Sequence, residues 1–155
     1  MVAMPPKSPL PPRHGLQAAW VRTLDRGAPA PWVTMREFLL DKLGPGRDSV
    51  DPMLARGDFV DEHGVPWRGD EPYRPNTFIW FHRELRPEAE VPGLLEVLHR
   101  DERIVVFDKP HFLSTIPRGR HVLQSAVVRG RAATGLPELS AAHRLDRGTA
   151  GVLLM

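Results

Sequence analysis

The chain has 155 residues, 41% hydrophobic and 26% charged, with no cysteine, seven histidines and a formal net charge of +2. That length holds one ordinary domain or two small ones with a core, and the missing cysteines exclude a disulfide framework, a thiolate metal site and a thiol nucleophile. The scattered histidines give no metal site, no apolar run approaches the ~18 residues of a membrane span, and prolines stand where a signal peptide would be apolar, so a monomeric cytoplasmic protein is expected.

Residues 1–14 are rich in proline and have no apolar period, which predicts an unfolded tail. Residues 15–86 read as a small α+β module. Gly15 to Arg26 carries Trp20 and Leu24 on a short helix or strand, broken by Gly27-Ala-Pro-Ala-Pro31. Thr34-Met-Arg-Glu37 is a capping box opening a helix to about Leu43, with Met35, Phe38, Leu39 and Leu43 on one face and Gly44-Pro45-Gly46 ending it. A second short helix is predicted from Asp51 to Arg56, stopped by Gly57. Phe59-Val60, a turn at Glu62-His63-Gly64 and Val65-Pro66-Trp67 read as a hairpin, and Thr77 to His82 as a strand. Residues 87–93 read as a linker.

Residues 94–155 form the second predicted domain. Leu94, Leu95, Val97 and Leu98 lead toward a strand from Ile104 to Phe107. Lys109-Pro110 ends it, because proline fixes its own φ and holds the preceding residue extended. Val122, Leu123, Ala126 and Val127 recur at helical spacing and predict a helix from Leu123 to Arg129. The last segment, His143 to Met155, sets Asp146 between Arg144 and Arg147 in a tight turn, then runs into the apolar Val152–Met155, read as a buried strand. Positive charge on both sides favours the carboxylate. Gly148 and Gly151 are read as turn and close-approach residues, His143 as satisfying a backbone group, and Lys109-Pro110 as structural.

Charge is unevenly distributed. Residues 1–98 hold 12 basic and 14 acidic side chains, net −2, whereas 99–155 hold 9 basic and 5 acidic, net +4. No acid occurs from Lys109 to Pro137, where Arg118, Arg120, Arg129 and Arg131 lie beside His111 and His121. Clustered arginine is the footprint of a phosphate-binding surface.

The string His143-Arg-Leu-Asp-Arg-Gly-Thr-Ala-Gly151 resembles the HRLDRxTSG signature of the RluA/RluC/RluD-type pseudouridine synthases, with Ala150 in place of the usual serine. Asp101 to Pro110, followed by His111-Phe-Leu-Ser-Thr-Ile-Pro117, resembles the family stretch in which an apolar strand ends in a Lys-Pro turn. Two motifs in this order are more specific than either alone.

The resemblance implies an isomerase that converts uridine to pseudouridine in ribosomal or transfer RNA without a cofactor. Asp146 would be the essential carboxylate, attacking the anomeric carbon or acting as a base at the neighbouring ribose carbon. Arg144 would contact displaced RNA, and Arg147, Arg118 and Arg120 are further candidates for RNA contact. The fold expected is α+β, the first part of a mixed, largely antiparallel sheet with flanking helices, after a module resembling the small RNA-binding domain named after ribosomal protein S-four. That family's catalytic domain continues past the aspartate motif, to a stacking tyrosine and a basic partner for the aspartate, so the chain reads as a truncated form. Tyr73, the single tyrosine, precedes the motif. A non-catalytic or vestigial RNA-binding protein is the alternative.

Overall fold

The computed structural model describes residues 5–25, 30–44 and 47–155, apart from the side chains of 47 and 48. Contacts divide it into two units, one of Gln17–Glu84 with the residues up to Arg13, the other of Leu85–Met155 with His14–Leu16.

The first unit is built on two helices and a strand pair. Thr34, extended at φ −122° and ψ 163°, accepts the Glu37 amide at 3.2 Å, and the Glu37 carboxylate accepts the Val33 amide at 2.6 Å. The first bond satisfies an amide that the first helical turn leaves unpaired, and the second ties down the residue before the cap. Helix α1 (Met35–Leu43) therefore starts at its cap, and Met35, Phe38 and Leu39 at helical spacing are buried. Gly44 closes it; residues 45 and 46 of the predicted stop lie outside the described residues.

Helix α2 (Arg47–Arg56) begins a turn earlier than predicted and carries Pro52 within it. Asp51 reads locally as a cap before proline, but its carboxylate instead pairs with Arg36 of α1 at 2.6 and 2.7 Å. Val50, Met53 and Leu54 bury themselves in the same cluster as Phe38 and Leu39, so tertiary packing overrides the local signal.

The segment expected as helix or strand near Trp20 is a strand, β1 (Ala19–Arg22), antiparallel to β2 (Phe78–Phe81) with Ala19 opposite Phe81. The predicted hairpin is reduced to one bridge, Val60 to Pro66, flanked by the Trp67 amide on the Phe59 carbonyl at 2.8 Å. Val60 bridges Trp80 as well. The breaker residues 26–29 lie outside the described residues.

The tail is not wholly free. Leu10 packs against the cluster of Ala18, Val60 and Trp80, while residues 1–4 lie outside the described residues.

The second unit centres on a three-stranded antiparallel sheet in the order β3 (Glu96–Arg100), β4 (Val105–Lys109), β5 (Gly151–Leu154). The Asp101 carboxylate closes the β3–β4 turn by accepting the Arg103 and Ile104 amides at 2.8 and 3.0 Å. Strand β4 alternates: Val105, Phe107 and Lys109 are buried and Asp108 is exposed. Strand β5 alternates too, with Leu153 buried and Val152 61% exposed. The apolar run at 152–155, expected to be buried throughout, thus covers only one face of a sheet. The elements are compatible with the α+β expectation, and every strand pair among the described residues is antiparallel. Among those residues no helix is long and apolar enough to cross a membrane.

Helix α3 spans Ala126–Thr134, three residues later than predicted at its start and longer at its end. The physical reason is Glu88. Its carboxylate takes the amides of Val122, Leu123 and Gln124 at 3.0, 2.8 and 2.9 Å, so these residues form an anion-binding turn ahead of the helix. Segment 87–93, expected to be a linker, is accordingly part of the second unit: Val91 is buried, its amide bonds Gln124 Oε1 at 3.1 Å, and Arg129 donates to the Val91 carbonyl at 2.8 Å.

Burial works against ionisation of Glu88, but the three amide bonds and nearby His121 outweigh it and hold its pKa below the ordinary glutamate value of 4.5. The unfolded chain then takes up protons first as pH falls, so the contribution is complete above about that value and is lost as pH drops through the folded pKa. Glu88→Gln should destabilise the protein by about 1–3 kcal/mol at neutral pH, with the gap to the parent chain closing in acid. Thermal unfolding across pH 3–7 measures both; an equal gap throughout would refute the linkage.

Candidate active site

Antiparallel pairing sets Lys109, the last residue of β4, opposite Gly151, the first of β5. The loop leaving β4 and the loop entering β5 therefore emerge from the same end of the sheet. The first sequence motif runs along β4 into one of these loops, and the second fills the other up to β5.

Lys109 is 0% exposed. Its ammonium donates to the carbonyls of Leu113 at 2.7 Å and Pro110 at 3.2 Å, so the first loop wraps around a buried cation. Burial pushes the lysine pKa below its ordinary value. Phe112, inside this wrap, adopts φ +66°, a left-handed conformation uncommon for a residue with a side chain. Pro110 is backed by Gly93, whose φ of +98° and 2.8 Å spacing between its notional Cβ and Pro110 Cβ leave room for glycine alone.

Three contacts tie the loops together. Thr115 Oγ1 donates to the Leu145 carbonyl at 2.7 Å and accepts the Leu145 amide at 3.1 Å. His111 Nδ1 donates to the Gly148 carbonyl at 2.9 Å, and Arg147 Nε to the Phe112 carbonyl at 3.1 Å. Within the second loop, the Thr149 amide bonds the Asp146 carbonyl at 2.9 Å, closing a turn. His143 Nε2 accepts the Leu154 amide at 3.0 Å, which ties the start of this loop to β5.

The Asp146 side chain is exposed on that turn. Among the described residues it has no ion pair or side-chain hydrogen bond, so neither flanking arginine is paired with it. Arg147 turns to the Phe112 carbonyl, and Arg144 is exposed. Arg118, Arg144 and Arg147 line one cleft with Ser114, Thr115, Ile116 and Leu145. Arg120 lies outside that lining, exposed on the tight turn in which Arg118 and His121 exchange backbone bonds of 2.9 and 3.0 Å.

Two other arginines leave the proposed phosphate surface. Arg129 reaches the carbonyls of Val91 and Gly93 and the Gln124 side chain, and Arg131 those of Gly15 and Leu139. The close approach expected at Gly148 and Gly151 is absent: a Cβ at either would meet nothing within 4 Å, although the φ of +133° at Gly151 still calls for glycine. Sequence reasoning passed over Thr115, His111 and Phe112 as site residues. Thr115, between Ser114 and Ile116, has nothing in its local sequence to set it apart, yet it is only 4% exposed.

Two curated pseudouridine synthases share sequence with this chain. An uncharacterized RNA pseudouridine synthase of Synechocystis is 34% identical over 84 residues, 54% of this chain and 29% of that protein. The dual-specificity RNA pseudouridine synthase RluA of Haemophilus ducreyi is 36% identical over 80 residues, 51% of this chain and 32% of that one. Over about half its length the chain is similar to RNA pseudouridine synthases, one of them RluA. An uncharacterized protein of Caenorhabditis elegans is also similar, 32% identical over 111 residues, 72% of this chain and 21% of its own length. The chain thus spans about a third or less of the length of these relatives. No protein family model matches it.

No group of three or more metal-ligating side chains converges among the described residues. The residues of the two motifs instead form a clasp that exposes one carboxylate on a turn whose Leu145 and Arg147 line the arginine cleft. Thr115→Val keeps the shape but strips both bonds from Leu145, at a cost of about 1–3 kcal/mol for groups left unpaired. Hydrogen exchange at the Leu145 amide should accelerate while that of the Asp101 turn stays unchanged; uniform acceleration would mean global destabilisation instead.

Proposed function

We propose that this chain acts on ribosomal or transfer RNA as a uridine-to-pseudouridine isomerase, with Asp146 as its essential carboxylate. The observation that carries the reading is an exposed carboxylate, without a protein partner among the described residues, on a turn clasped to a buried Lys-Pro loop beside an arginine-lined cleft. The pseudouridine synthase relatives support the reaction class.

The reaction breaks the bond from ribose to the uracil nitrogen and forms one to a uracil carbon, which releases the proton that carbon carried. Asp146 attacks the anomeric carbon, or takes a proton from the neighbouring ribose carbon; the two routes use the same exposed oxygen. The target uridine leaves its stack first, costing a few kcal/mol. Arg144 contacts the displaced strand, and Arg118, Arg147 and Arg120 supply phosphate contacts; no carboxylate lines the cleft that holds Arg118, Arg144 and Arg147. Lys109, Pro110, His143 and Gly151 hold the loops in place, with Gly148 contributing its carbonyl to His111. The S-four-type character of the first unit is a weaker expectation, since its acids Asp61 and Glu71 bind loop amides of their own unit.

The second reading is an RNA-binding relative without turnover. Release of tritium from RNA labelled at uracil carbon 5 separates the two. Asp146→Ala should reduce release to background with RNA binding largely intact. Binding without release in the parent chain would establish the second reading, and loss of binding in the variant would make the aspartate structural.

A further inference from the structure

We infer that Phe112 is the base-stacking platform of this site, the ring on which an unpaired RNA base rests beside the arginine cleft. The inference rests on the reading that the cleft takes RNA.

The second unit contains two phenylalanines and no tryptophan or tyrosine. Phe107 is 0% exposed, in the core. Phe112 is 58% exposed, although an apolar ring of that size ordinarily gains by burial. It is held in that position at a conformational cost: φ is +66°, where a side chain is disfavoured and glycine is at ease. The surroundings fix the strained residue from several sides. Lys109 holds the carbonyl of Leu113, Arg147 holds the carbonyl of Phe112 itself, and His111 is tied to Gly148. An exposed, strained aromatic clamped this firmly is arranged for a contact outside the chain.

Its neighbourhood identifies the contact. The His111 ring lies 6.0 Å away, tilted by 46°, and is bonded to the turn that carries Asp146. Arg147, which fixes the Phe112 backbone, lines the cleft with Arg118 and Arg144, and Ile116, 40% exposed, adds apolar surface there. An exposed apolar ring on the loop whose carbonyl holds Arg147, together with a cleft of three arginines and no lining carboxylate, matches a nucleotide, whose base stacks while its phosphate pairs. A purely apolar partner would leave the arginines without counter-ions.

The test uses a short single-stranded, uridine-rich RNA with one 2-aminopurine, whose fluorescence is quenched on stacking. The parent chain should bind and quench. Phe112→Leu, apolar but without a π face, should bind about tenfold more weakly with most of the quenching lost, in line with stacking measured by side-chain truncation. Phe112→Trp should restore both. Phe112→Gly should behave like the leucine variant while unfolding at the same or a higher temperature, because the left-handed backbone no longer carries a side chain. Unchanged affinity and quenching in Phe112→Leu would overturn this inference and leave the RNA reading standing. Absence of RNA binding by the parent chain would overturn both.

Discussion

The antiparallel register of β4 and β5 is the constraint on which the second unit depends. With Phe107 opposite Leu153 and Lys109 opposite Gly151, two loops separated by more than thirty residues in sequence leave and enter the sheet side by side. Phe107 and Leu153 are both fully buried, each contributing about 1.5–3 kcal/mol. A one-residue slip of β4 would turn Phe107 to the outer face and present Lys109 to water, and a slip of β5 would do the same to Leu153. The register is therefore strongly specified, and with it the reach of Thr115 to Leu145.

Backbone carbonyls organise much of what lies around that sheet end. Lys109, Arg147, Arg129 and Arg131 all end on main-chain oxygens, and Glu88 does the converse, gathering three amides. Such bonds fix loop shape without calling for a particular partner side chain. They also separate roles among similar residues: Arg129 and Arg131 hold the frame, Arg118 and Arg144 face the cleft, and Arg147 does both.

Much of this was legible in the sequence, for reasons specific to each element. The cap at Thr34, the breaker at Gly57 and the Lys-Pro end of β4 depend on a few adjacent residues, so local reasoning reached them. The motif around Asp146 was visible because its residue types are unusual together. The start of α3 was misplaced because the amides of residues 122–124 are claimed by a glutamate more than thirty positions earlier. Arg129 and Arg131 pass in sequence for members of the phosphate-binding cluster because nothing near them reveals the carbonyls of Val91 and Gly15. The left-handed backbone at Phe112 was equally hidden, since a phenylalanine gives no hint of a conformation that glycine prefers.

The division of arginines also bears on how ionic strength acts on the proposed RNA contact. Arg118 and Arg144 in the cleft, and Arg120 on the turn outside it, have guanidinium groups with no protein partner among the described residues. Three phosphate contacts on a single strand displace few condensed cations, giving a slope of about −2 for log affinity against log salt concentration, or roughly twentyfold weakening from 50 to 200 mM. Binding of that kind tolerates physiological salt and draws its remaining strength from surfaces that carry no charge.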